Sequence, residues 1–439
     1  MNSSQNITPI AVFWFRRDLR LHDNSGLFQA LNSGYKVLPV FVFDDNITEK
    51  LEIDDRRISF IFQAIQFMNK SLGILHSTIQ IFKGKPLEIF KILVKEYTIC
   101  SVFANQDYEP YAIQRDELIR NYLKTEDIDF QLFKDQVIFE KSEILNISRE
   151  PYTVFTHYNK AWLEKINQSA GFLQTLYSEK HLLNFIQIEP TSIQSVKDLG
   201  FNETRYLFKP PVLNEPDILN YHIYRDFPAL DATSRLSAHL RFGTVSIREM
   251  VLKAIRLNKT WLNEFIWREF FMQILWHFPN VVNEAFKPKY RFIQWKNDER
   301  DFTRWCSGKT GYPLVDSGMR QLNETGFMHN RVRMVTASFL VKHLLINWQW
   351  GEAYFASKLL DFELSSNNGN WQWAAGTGCD AAPYFRIFNP TIQAAKFDTK
   401  KKYQHIWIPE YDTPLYPPPI VEHTFARNRF LDTYKKPGL

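Results

Sequence analysis

The first 135 residues alternate between two hydrophobic periodicities, and this alternation restricts the fold more than any other feature. Apolar runs of strand length lie at 10–15, 37–43, 79–82, 101–104 and 128–133. Helical patterns separate them at 24–32, 55–72, 86–97 and 111–124. Strands that alternate with helices form βαβ units. We therefore predict a Rossmann-like α/β domain over residues 1–135, with a parallel five-stranded sheet that binds ligands at the carboxyl ends of its strands.

The chain changes character after residue 135. Residues 136–210 are irregular, with scattered proline, serine and asparagine, and we interpret them as a long connection between domains. Further on, apolar residues recur at spacings of three and four, as in EFIWREFFMQILWHF, which is the helical period. We therefore predict three segments: the α/β domain over 1–135, a connection over 136–210 and an all-α domain over 211–439.

Composition excludes several classes of protein. With 439 residues, 45% of them hydrophobic, the chain can build ordinary globular cores. It contains no apolar run long enough to span a membrane, and its N-terminus lacks the basic segment of a signal peptide. Its three cysteines are too far apart for a disulfide framework or a cysteine zinc site. We expect a monomer in the reducing cytoplasm, with no membrane partner.

Two features of the second half suggest a flat or anionic ligand. Residues 201–439 contain 31 basic and 23 acidic residues, whereas residues 1–200 carry a small acidic surplus. Ten of the twelve tryptophans lie at or after Trp261. Cations bind phosphates, and indoles stack on bases or on cofactor rings. Scattered surface lysines and ordinary core tryptophans are the alternative explanation.

Several familiar motifs fail. The turn SGKTGYP (307–313) lacks the first glycine of a phosphate-binding loop, and no G-x-G-x-x-G follows the first strand. The histidines show no metal-ligand spacing. Cys379 is not part of a nucleophile elbow, so a structural cysteine is the better explanation. We therefore expect neither a nicotinamide site nor a metal site.

The segment TSRLSAHLRFG (233–243) is a candidate anion site. Thr233, Ser234 and Ser237 stand at a predicted helix start together with Arg235, and free backbone N–H groups at a helix start attract phosphate. A simple N-cap explains one hydroxyl but not three beside an arginine. The segment is therefore compatible with a cofactor that carries a diphosphate group.

Two helical patterns carry further candidates. Glu264 and Trp267 share a helix face and could hydrogen-bond and stack one base, although an exposed acid beside a core tryptophan is the more ordinary explanation. Arg331 and Arg333 are two residues apart and point to opposite sides of a helix. One can reach a phosphate while the other meets a buried acid, for which the segment 361–363 offers candidates.

Six segments together resemble the DNA photolyase/cryptochrome family. They are WFRRDLRLHDN (14–24), TSRLS (233–237), WLNEFIWREF (261–270), KTGYPLVDSGMRQL (309–322), MHNRVRMVTASFLVKHLLINW (328–348) and NNGNWQWAAGTGCDAAPYFRIFNP (367–390). The resemblance covers nearly the whole chain and is greatest to bacterial class I cyclobutane pyrimidine dimer photolyases. It implies an antenna-type α/β domain and a helical domain that binds FAD and DNA.

The resemblance also implies residues for the flavin. The implied flavin-binding set is Tyr221, Thr233, Ser234, Arg235, Leu236, Ser237, Trp261, Arg333, Asp361, Glu363 and Asn367. Within it, Arg333 would pair with Asp361, and Asn367 would lie beside flavin N5, where an amide is a poor proton donor. The implied relay that carries an electron from the surface to the flavin consists of Trp295, Trp348 and Trp371.

The substrate side is implied in the same way. The implied dimer pocket contains Glu264, Trp267, Asn330, Met334 and Trp373, and the implied phosphate contacts are Arg225, Arg268, Arg331 and Arg386. In the implied reaction, light excites reduced FAD, which gives one electron to a pyrimidine dimer in DNA; the cyclobutane ring splits and the electron returns. Glu264, Asn367 and the relay tryptophans are the implied catalytic residues.

The antenna site departs from the folate-binding pattern. Relatives that bind folate carry Asn-Glu where this chain has Tyr111-Ala112, and Cys-Lys where it has Val281-Val282. The folate contacts are therefore largely missing. A deazaflavin, a flavin or no antenna remain open, and we favour an empty or non-folate site.

Three other functions compete with dimer repair. A cryptochrome-type photoreceptor would bind FAD and signal through partners, but the dimer pocket is complete and only 41 residues follow Asp398. Repair of the (6-4) photoproduct needs a histidine proton donor, and HNRVRM offers His329 alone. A DNA-binding module without enzyme activity would not need so full a flavin site.

Overall fold

The predicted alternation of strands and helices is confirmed. The structure is a computed structural model that describes residues 8–168, 170–205, 208–381 and 383–435. Within these residues one sheet contains β1 (Ile10–Phe15), β2 (Lys36–Asp44), β3 (Gln80–Gly84), β4 (Ile99–Asn105) and β5 (Asp129–Phe133). The strands are all parallel, in the order β3-β2-β1-β4-β5. Every residue of the central β1 is buried, as expected for a sheet covered on both faces.

Helices connect the strands and build the rest of the chain. In chain order they are α1 (Ser25–Leu31), α2 (Asp45–Thr48), α3 (Arg56–Gly73), α4 (Pro86–Glu96), α5 (Pro110–Thr125), α6 (Phe155–Gln168), α7 (Glu215–Leu219), α8 (Tyr221–Tyr224), α9 (Ser237–Phe242), α10 (Ile247–Leu257), α11 (Lys259–His277), α12 (Glu299–Cys306), α13 (Pro313–Thr325), α14 (Asn330–Ser338), α15 (Trp348–Lys358), α16 (Leu364–Ala375), α17 (Pro390–Phe397), α18 (Lys402–Trp407) and α19 (His423–Lys435). Short 3₁₀ turns lie at Ala170–Leu173, Ser178–Asn184, Lys197–Leu199, Pro279–Val282 and Pro288–Tyr290, and a π-helical turn lies at Phe339–His343. In the described part of the chain no helix combines the length and apolar character needed to cross a bilayer. The all-α character predicted for the C-terminal part is confirmed.

The chain divides into two compact units that do not follow its order. The first unit comprises residues 1–140, 164–212 and 236–256, and the second comprises 141–163, 213–235 and 257–439. This division differs from the predicted segments, because the predicted connection is shared between both units and residues 236–256 belong with the sheet. The predicted flavin-binding role of the 211–439 segment stays a prediction.

Buried ion pairs explain why residues 236–256 join the first unit. The Arg248 side chain donates to both carboxylate oxygens of Asp23, at 3.0 and 3.1 Å, and to Asp135 Oδ1 at 2.9 Å. Arg20 donates to Asp135 Oδ2 at 2.7 Å. Burial alone would raise the pKa of Asp135, but Arg20 and Arg248 lower it below its usual value. A buried aspartate between two arginines therefore ties α10 to the strand ends.

Further ion pairs follow the carboxyl ends of β1 and β4. Arg16 binds Asp116 at 2.6 Å, and Arg17 binds Asp107 at 3.0 Å. Burial favours the neutral form of Asp107, but Arg17 and nearby arginines outweigh it and lower its pKa. We call Arg16, Arg17, Arg20, Asp23, Asp107, Asp116, Asp135 and Arg248 the strand-end cluster. These ion pairs thus lie at the carboxyl ends of β1, β4 and β5, and the ligand site predicted for this edge stays a prediction.

The second unit is built around a continuous aromatic and aliphatic core. Trp305, Trp348 and Trp371 are all buried in it, together with apolar residues of α13 to α16. The glycine-rich turn that failed as a phosphate loop has a structural explanation here. The buried Asp316 carboxylate accepts hydrogen bonds from Thr310 N, Thr310 Oγ1 and Gly311 N, so it fastens the turn to α13.

Candidate functional site

Eight predicted site residues line one cavity of the second unit. Its walls come from α14, α15, α16 and the turn 359–363, and its empty space, including the open mouth, is about 630 Å³. The predicted residues on its walls are Asn330, Arg333, Met334, Asp361, Glu363, Asn367, Trp371 and Trp373. We call this space the α14–α16 cavity.

The predicted pair of Arg333 and Asp361 is confirmed. Arg333 Nη2 donates to Asp361 Oδ2 at 2.8 Å, while Nε donates to the carbonyl oxygen of Met328 at 2.7 Å. Asp361 Oδ1 is buried and accepts no hydrogen bond from the described residues. A buried carboxylate oxygen without a donor is costly. The cavity therefore fits a ligand that brings a donor to Asp361.

FAD satisfies the chemistry of this cavity. Its N–H and hydroxyl groups can supply the donor that Asp361 Oδ1 lacks, and its fused rings suit walls such as Phe355, Leu359 and Trp371. The positive Arg333 is fixed at the same wall by Asp361.

Asn367 is held in one orientation by the neighbouring helix. Its Nδ2 donates to the Glu352 backbone oxygen at 3.0 Å and to Glu352 Oε1 at 2.8 Å. Because two acceptors meet the nitrogen, the reverse amide orientation would place oxygen against oxygen. Burial raises the pKa of Glu352, which Asn367 partly offsets. The amide therefore presents its oxygen, an acceptor, away from α15.

Glu363 and Arg268 were predicted for different ligands, but they pair with each other. Arg268 Nε lies 3.2 Å from Glu363 Oε2, and both side chains are largely buried. Ser366 Oγ also donates to Glu363 Oε2 at 3.2 Å. The pair can still orient groups at the cavity wall, and the predicted flavin contact of Glu363 and phosphate contact of Arg268 stay predictions.

Two other predicted flavin residues lie away from the cavity walls. Trp261 is buried on α11, with its ring edge-on to Phe265 at 4.9 Å. Tyr221 begins α8, with the Arg225 guanidinium 5.3 Å from its ring centre. Burial raises the pKa of Tyr221, so the hydroxyl stays protonated. Their flavin contacts stay predictions.

The predicted anion segment 233–237 spans the boundary between the two units. Thr233 and Ser234 are half-buried, whereas Arg235 is exposed, has a φ of 49° and pairs with Asp231 at 2.6 Å. The helix start predicted near these hydroxyls is confirmed, since Ser237 is the first residue of α9. The residue before it, Leu236, makes no side-chain capping hydrogen bond to the described residues. The phosphate role of the segment stays a prediction.

Of the predicted dimer set, Glu264 and Trp267 have protein partners of their own. Arg225 Nη1 donates to Glu264 Oε1 at 2.5 Å, and burial raises the pKa of Glu264 even with this arginine present. Trp267 stacks on Phe155 with ring centres 3.6 Å apart and planes 6° apart. Asn330, Met334 and Trp373 share the cavity, as given above.

The four arginines predicted to bind phosphate differ in exposure. Arg386 is exposed in the loop before α17. Arg331 pairs with Asp226 at 2.7 Å and covers the Phe397 ring at 4.3 Å. Arg225 and Arg268 pair with glutamates, as described. Arg386 is therefore the member of this set most accessible to DNA, and the phosphate roles stay predictions.

The three predicted relay tryptophans belong to one core. Trp348 and Trp371 are 3% and 2% exposed, and Trp295 packs against the same core while remaining partly exposed. Gly351 allows close contact between α15 and α16, since a Cβ there would lie 2.1 Å from the Trp371 ring. The order of exposure agrees with a route from the cavity wall to the surface, and the relay itself stays a prediction.

The antenna residues of the first unit are engaged with protein partners. Tyr108 donates to Glu140 at 2.7 Å, and Glu109 binds Arg241 at 2.7 Å. Tyr111 donates to Asp44 Oδ2 at 2.5 Å. In the second unit Val281 is buried, and its carbonyl accepts from Asn368 and Gln372. The preference for a non-folate or empty site stays a prediction.

Sequence reasoning missed several residues that hold the site together. Phe155 covers Trp267, Asp226 pairs with Arg331, and Glu352 orients Asn367. None belongs to a motif quoted above. Each contact joins residues at least 15 positions apart, so periodicity offers no signal for it.

Comparisons with known proteins agree with this geometry. The family described as "DNA photolyase" matches residues 11–175, and the family described as "FAD binding domain of DNA photolyase" matches residues 261–414. A deoxyribodipyrimidine photo-lyase from Vibrio cholerae is 33% identical, over 97% of this chain and 99% of its own.

Two solved structures are similar over nearly their whole length. The bacterial class III photolyase of Agrobacterium tumefaciens has a TM-score of 0.86 and 31% identity, covering 99% of this chain and 98% of its own. The archaeal photolyase of Sulfolobus tokodaii, solved with two FAD molecules, has a TM-score of 0.81 and 32% identity, covering 97% and 99%. The class I resemblance therefore stays a prediction within the wider family. With both family matches and a relative over the full length, this chain belongs to the DNA photolyase family.

Proposed function

We propose that this chain is a light-driven enzyme that splits cyclobutane pyrimidine dimers in DNA, as a deoxyribodipyrimidine photo-lyase. One observation supports the proposal above all others. Residues predicted for the flavin, Arg333, Asp361 and Asn367, share the α14–α16 cavity with residues predicted for the dimer, Met334 and Trp373. An electron donor and a dimer bound to these two sets would be close enough for direct transfer.

Bound reduced FAD would supply the light-excited electron, and the chain would supply position, charge and exclusion of water. Arg333 and Asp361 would hold the cofactor ring, with Asp361 Oδ1 accepting the hydrogen bond that it lacks. The oxygen of Asn367, fixed by Glu352, would accept from an N–H group of the ring. An acceptor at that position favours the protonated nitrogen of reduced flavin.

The dimer would be positioned by an aromatic wall and a carboxyl group. Trp373 lies on the cavity wall, and Trp267, backed by Phe155, offers a second indole surface for stacking. Glu264 would offer a carboxyl group to the bases, and burial raises its pKa above the ordinary value. Arg225 competes for the same carboxyl group and would need to release it.

DNA binding would rest on cations of the second unit. The exposed Arg386 would reach a phosphate directly, and Arg331 would do so after exchanging Asp226 for it. Such contacts carry no sequence information and weaken as salt rises. A dimer leaves the duplex at less cost than an intact pair, because its stacking and pairing are already weakened.

A specific observation disfavours repair of the (6-4) photoproduct. His329 Nδ1 accepts the backbone N–H of Arg331 as the N-cap of α14. Burial lowers the pKa of His329 to about 4. A neutral histidine engaged as an acceptor is a poor proton donor at neutral pH. The cryptochrome-type photoreceptor is the remaining alternative, and it predicts flavin binding without repair.

An illumination assay tests the proposal. The full chain with chemically reduced FAD is mixed with an oligonucleotide that contains one thymine dimer, irradiated with near-ultraviolet light, and followed by recovery of thymine absorbance. We expect recovery in the light and none in the dark. If the protein holds reduced flavin and thymine absorbance does not recover, dimer repair is wrong, and an oligonucleotide with a (6-4) photoproduct then separates the two alternatives.

A further inference from the structure

The cavity-wall tryptophan Trp371 contacts a second indole outside the predicted relay. The ring centres of Trp371 and Trp305 lie 6.1 Å apart, with planes at 71°. Trp305 is fully buried on α12, and Trp371 lines the α14–α16 cavity. Trp305 is therefore placed to exchange an electron with Trp371 through ring contact.

A phenyl ring connects Trp305 to an indole near the surface. Phe302 stacks on Trp305 with centres 5.8 Å apart and planes 18° apart, and it meets the edge of Trp350 at 5.2 Å. Trp350 is only partly buried, on the first turn of α15. The described residues thus contain a continuous series of aromatic contacts from the cavity wall to the surface.

A buried tryptophan by itself is usually just part of the core. What distinguishes Trp305 is its position between the cavity-wall indole and a half-buried one. Its Nε1–H donates to the Thr336 carbonyl at 3.2 Å, and a carbonyl is too weak a base to take that proton. An oxidised Trp305 would therefore regain an electron from a neighbour rather than lose a proton.

We propose that Trp371 has a second electron source, in which Trp305 refills Trp371 and Trp350 refills Trp305. The inference rests on the proposed function, because it assumes that Trp371 gives one electron to light-excited oxidised flavin. Trp350, once oxidised, releases its indole proton to water and regains electron and proton from a soluble thiol. The predicted route through Trp348 leaves Trp371 separately: Trp348 and Trp350 are two residues apart on α15 and point to different sides.

Photoreduction of the full chain with oxidised FAD tests the second route. The protein is illuminated with blue light in the presence of dithiothreitol, and loss of the oxidised-flavin band is followed. We expect Trp371→Phe to abolish photoreduction. Trp348→Phe should slow photoreduction but leave a measurable residual rate, and Trp348→Phe/Trp350→Phe should lose that residual rate. Transient absorption of a deprotonated tryptophan radical should persist in Trp348→Phe and vanish in the double variant.

A matched control uses another half-buried tryptophan. Trp276 lies on α11 and contacts Lys141, away from this series. Trp348→Phe/Trp276→Phe should keep the residual photoreduction rate of Trp348→Phe. The route is interrupted at Trp350 and not at Trp305, because Trp305→Phe leaves a cavity in the core. Thermal unfolding of each variant checks that it is folded.

Two results would overturn the inference. One is photoreduction in Trp348→Phe as low as in Trp371→Phe, and the other is residual photoreduction of Trp348→Phe that persists in Trp348→Phe/Trp350→Phe. Dimer repair by chemically reduced protein is measured on the same samples. If repair fails in the unchanged chain while the residual photoreduction behaves as expected, the repair part of the proposed function is wrong, whereas its flavin site and the second route stand.

Discussion

The strand-end cluster and the α14–α16 cavity both bury arginine–carboxylate pairs, but only one of them is complete. Asp135 uses both oxygens: Oδ1 accepts from Ser25 and Arg248, and Oδ2 accepts from Arg20. Asp361 uses Oδ2 alone and leaves Oδ1 buried without a donor among the described residues.

This difference separates stability from binding. Breaking a complete buried pair leaves a charge with no compensation, which costs folding free energy. An incomplete pair has already lost that free energy in the protein alone and regains it when a ligand supplies the donor. The first unit's ion pairs should therefore control unfolding, and the cavity's ion pair should control flavin content.

Removing Asp135 should produce the largest change in stability. Asp135→Ala leaves Arg20 and Arg248 buried without their shared carboxylate, and we expect a loss of about 3–5 kcal/mol in the free energy of unfolding. Urea unfolding of the purified protein measures this. A control, Asp412→Ala on the exposed surface, should change little. A loss under 1 kcal/mol, roughly that of a surface pair, would mean that the cluster is not structural.

Asp361→Asn should have the opposite effect, a loss of flavin binding with little loss of stability. The amide keeps the shape but loses the charge that pairs with Arg333 and the acceptor strength of Oδ1. We expect flavin affinity to fall by about 1.5–3 kcal/mol, the range for hydrogen bonds to charged groups, with a smaller effect on the apoprotein's unfolding. Flavin released on dialysis, measured by absorbance, separates the two quantities. Unchanged flavin retention would contradict the role given to Asp361.

His329 provides a test by pH, because it too has a buried atom, Nε2, that has no partner among the described residues. Its pKa of about 4 in the fold lies below its ordinary value of 6.5. The unfolded chain therefore takes up the proton first, and stability should fall by about 1.4 kcal/mol as pH drops by one unit below 6.5. His329→Asn keeps an N-cap acceptor and should reduce this slope in thermal melts.

The exposed His405 gives the control for that experiment. His405→Gln should leave the pH slope as it is in the unchanged chain. If His329→Asn leaves the slope unchanged as well, burial of His329 does not contribute to the acid sensitivity of the fold.

The smallest expected effect concerns the stack of Phe155 on Trp267. Phe155→Leu keeps an apolar side chain but removes the parallel ring at 3.6 Å, worth about 0.5–1.5 kcal/mol for an aromatic pair. We expect binding to dimer-containing DNA to weaken while binding to undamaged DNA is unchanged. Fluorescence anisotropy with both oligonucleotides measures this, and equal losses on both would mean that Trp267 has no part in recognising the dimer.

Local sequence patterns predicted the secondary-structure elements well, but they did not predict which distant residues pair with each other. The five strands were found within two residues of their observed bounds, because each depends on its own apolar run. The Arg333–Asp361 pair followed from the resemblance. Arg268 with Glu363 and residues 236–256 with the sheet were not foreseen, since both depend on charges brought together by folding.

The shared aspartates of the first unit also set an order of events during synthesis. Asp135 is translated 113 residues before Arg248, and Asp23 precedes it by 225. Until Arg248 leaves the ribosome, the nascent sheet would have to bury carboxylates that lack one of their cations. The α/β unit, although it begins the polypeptide, is thus expected to mature only after more than half of the chain has been made, and chaperones would meet it in that interval.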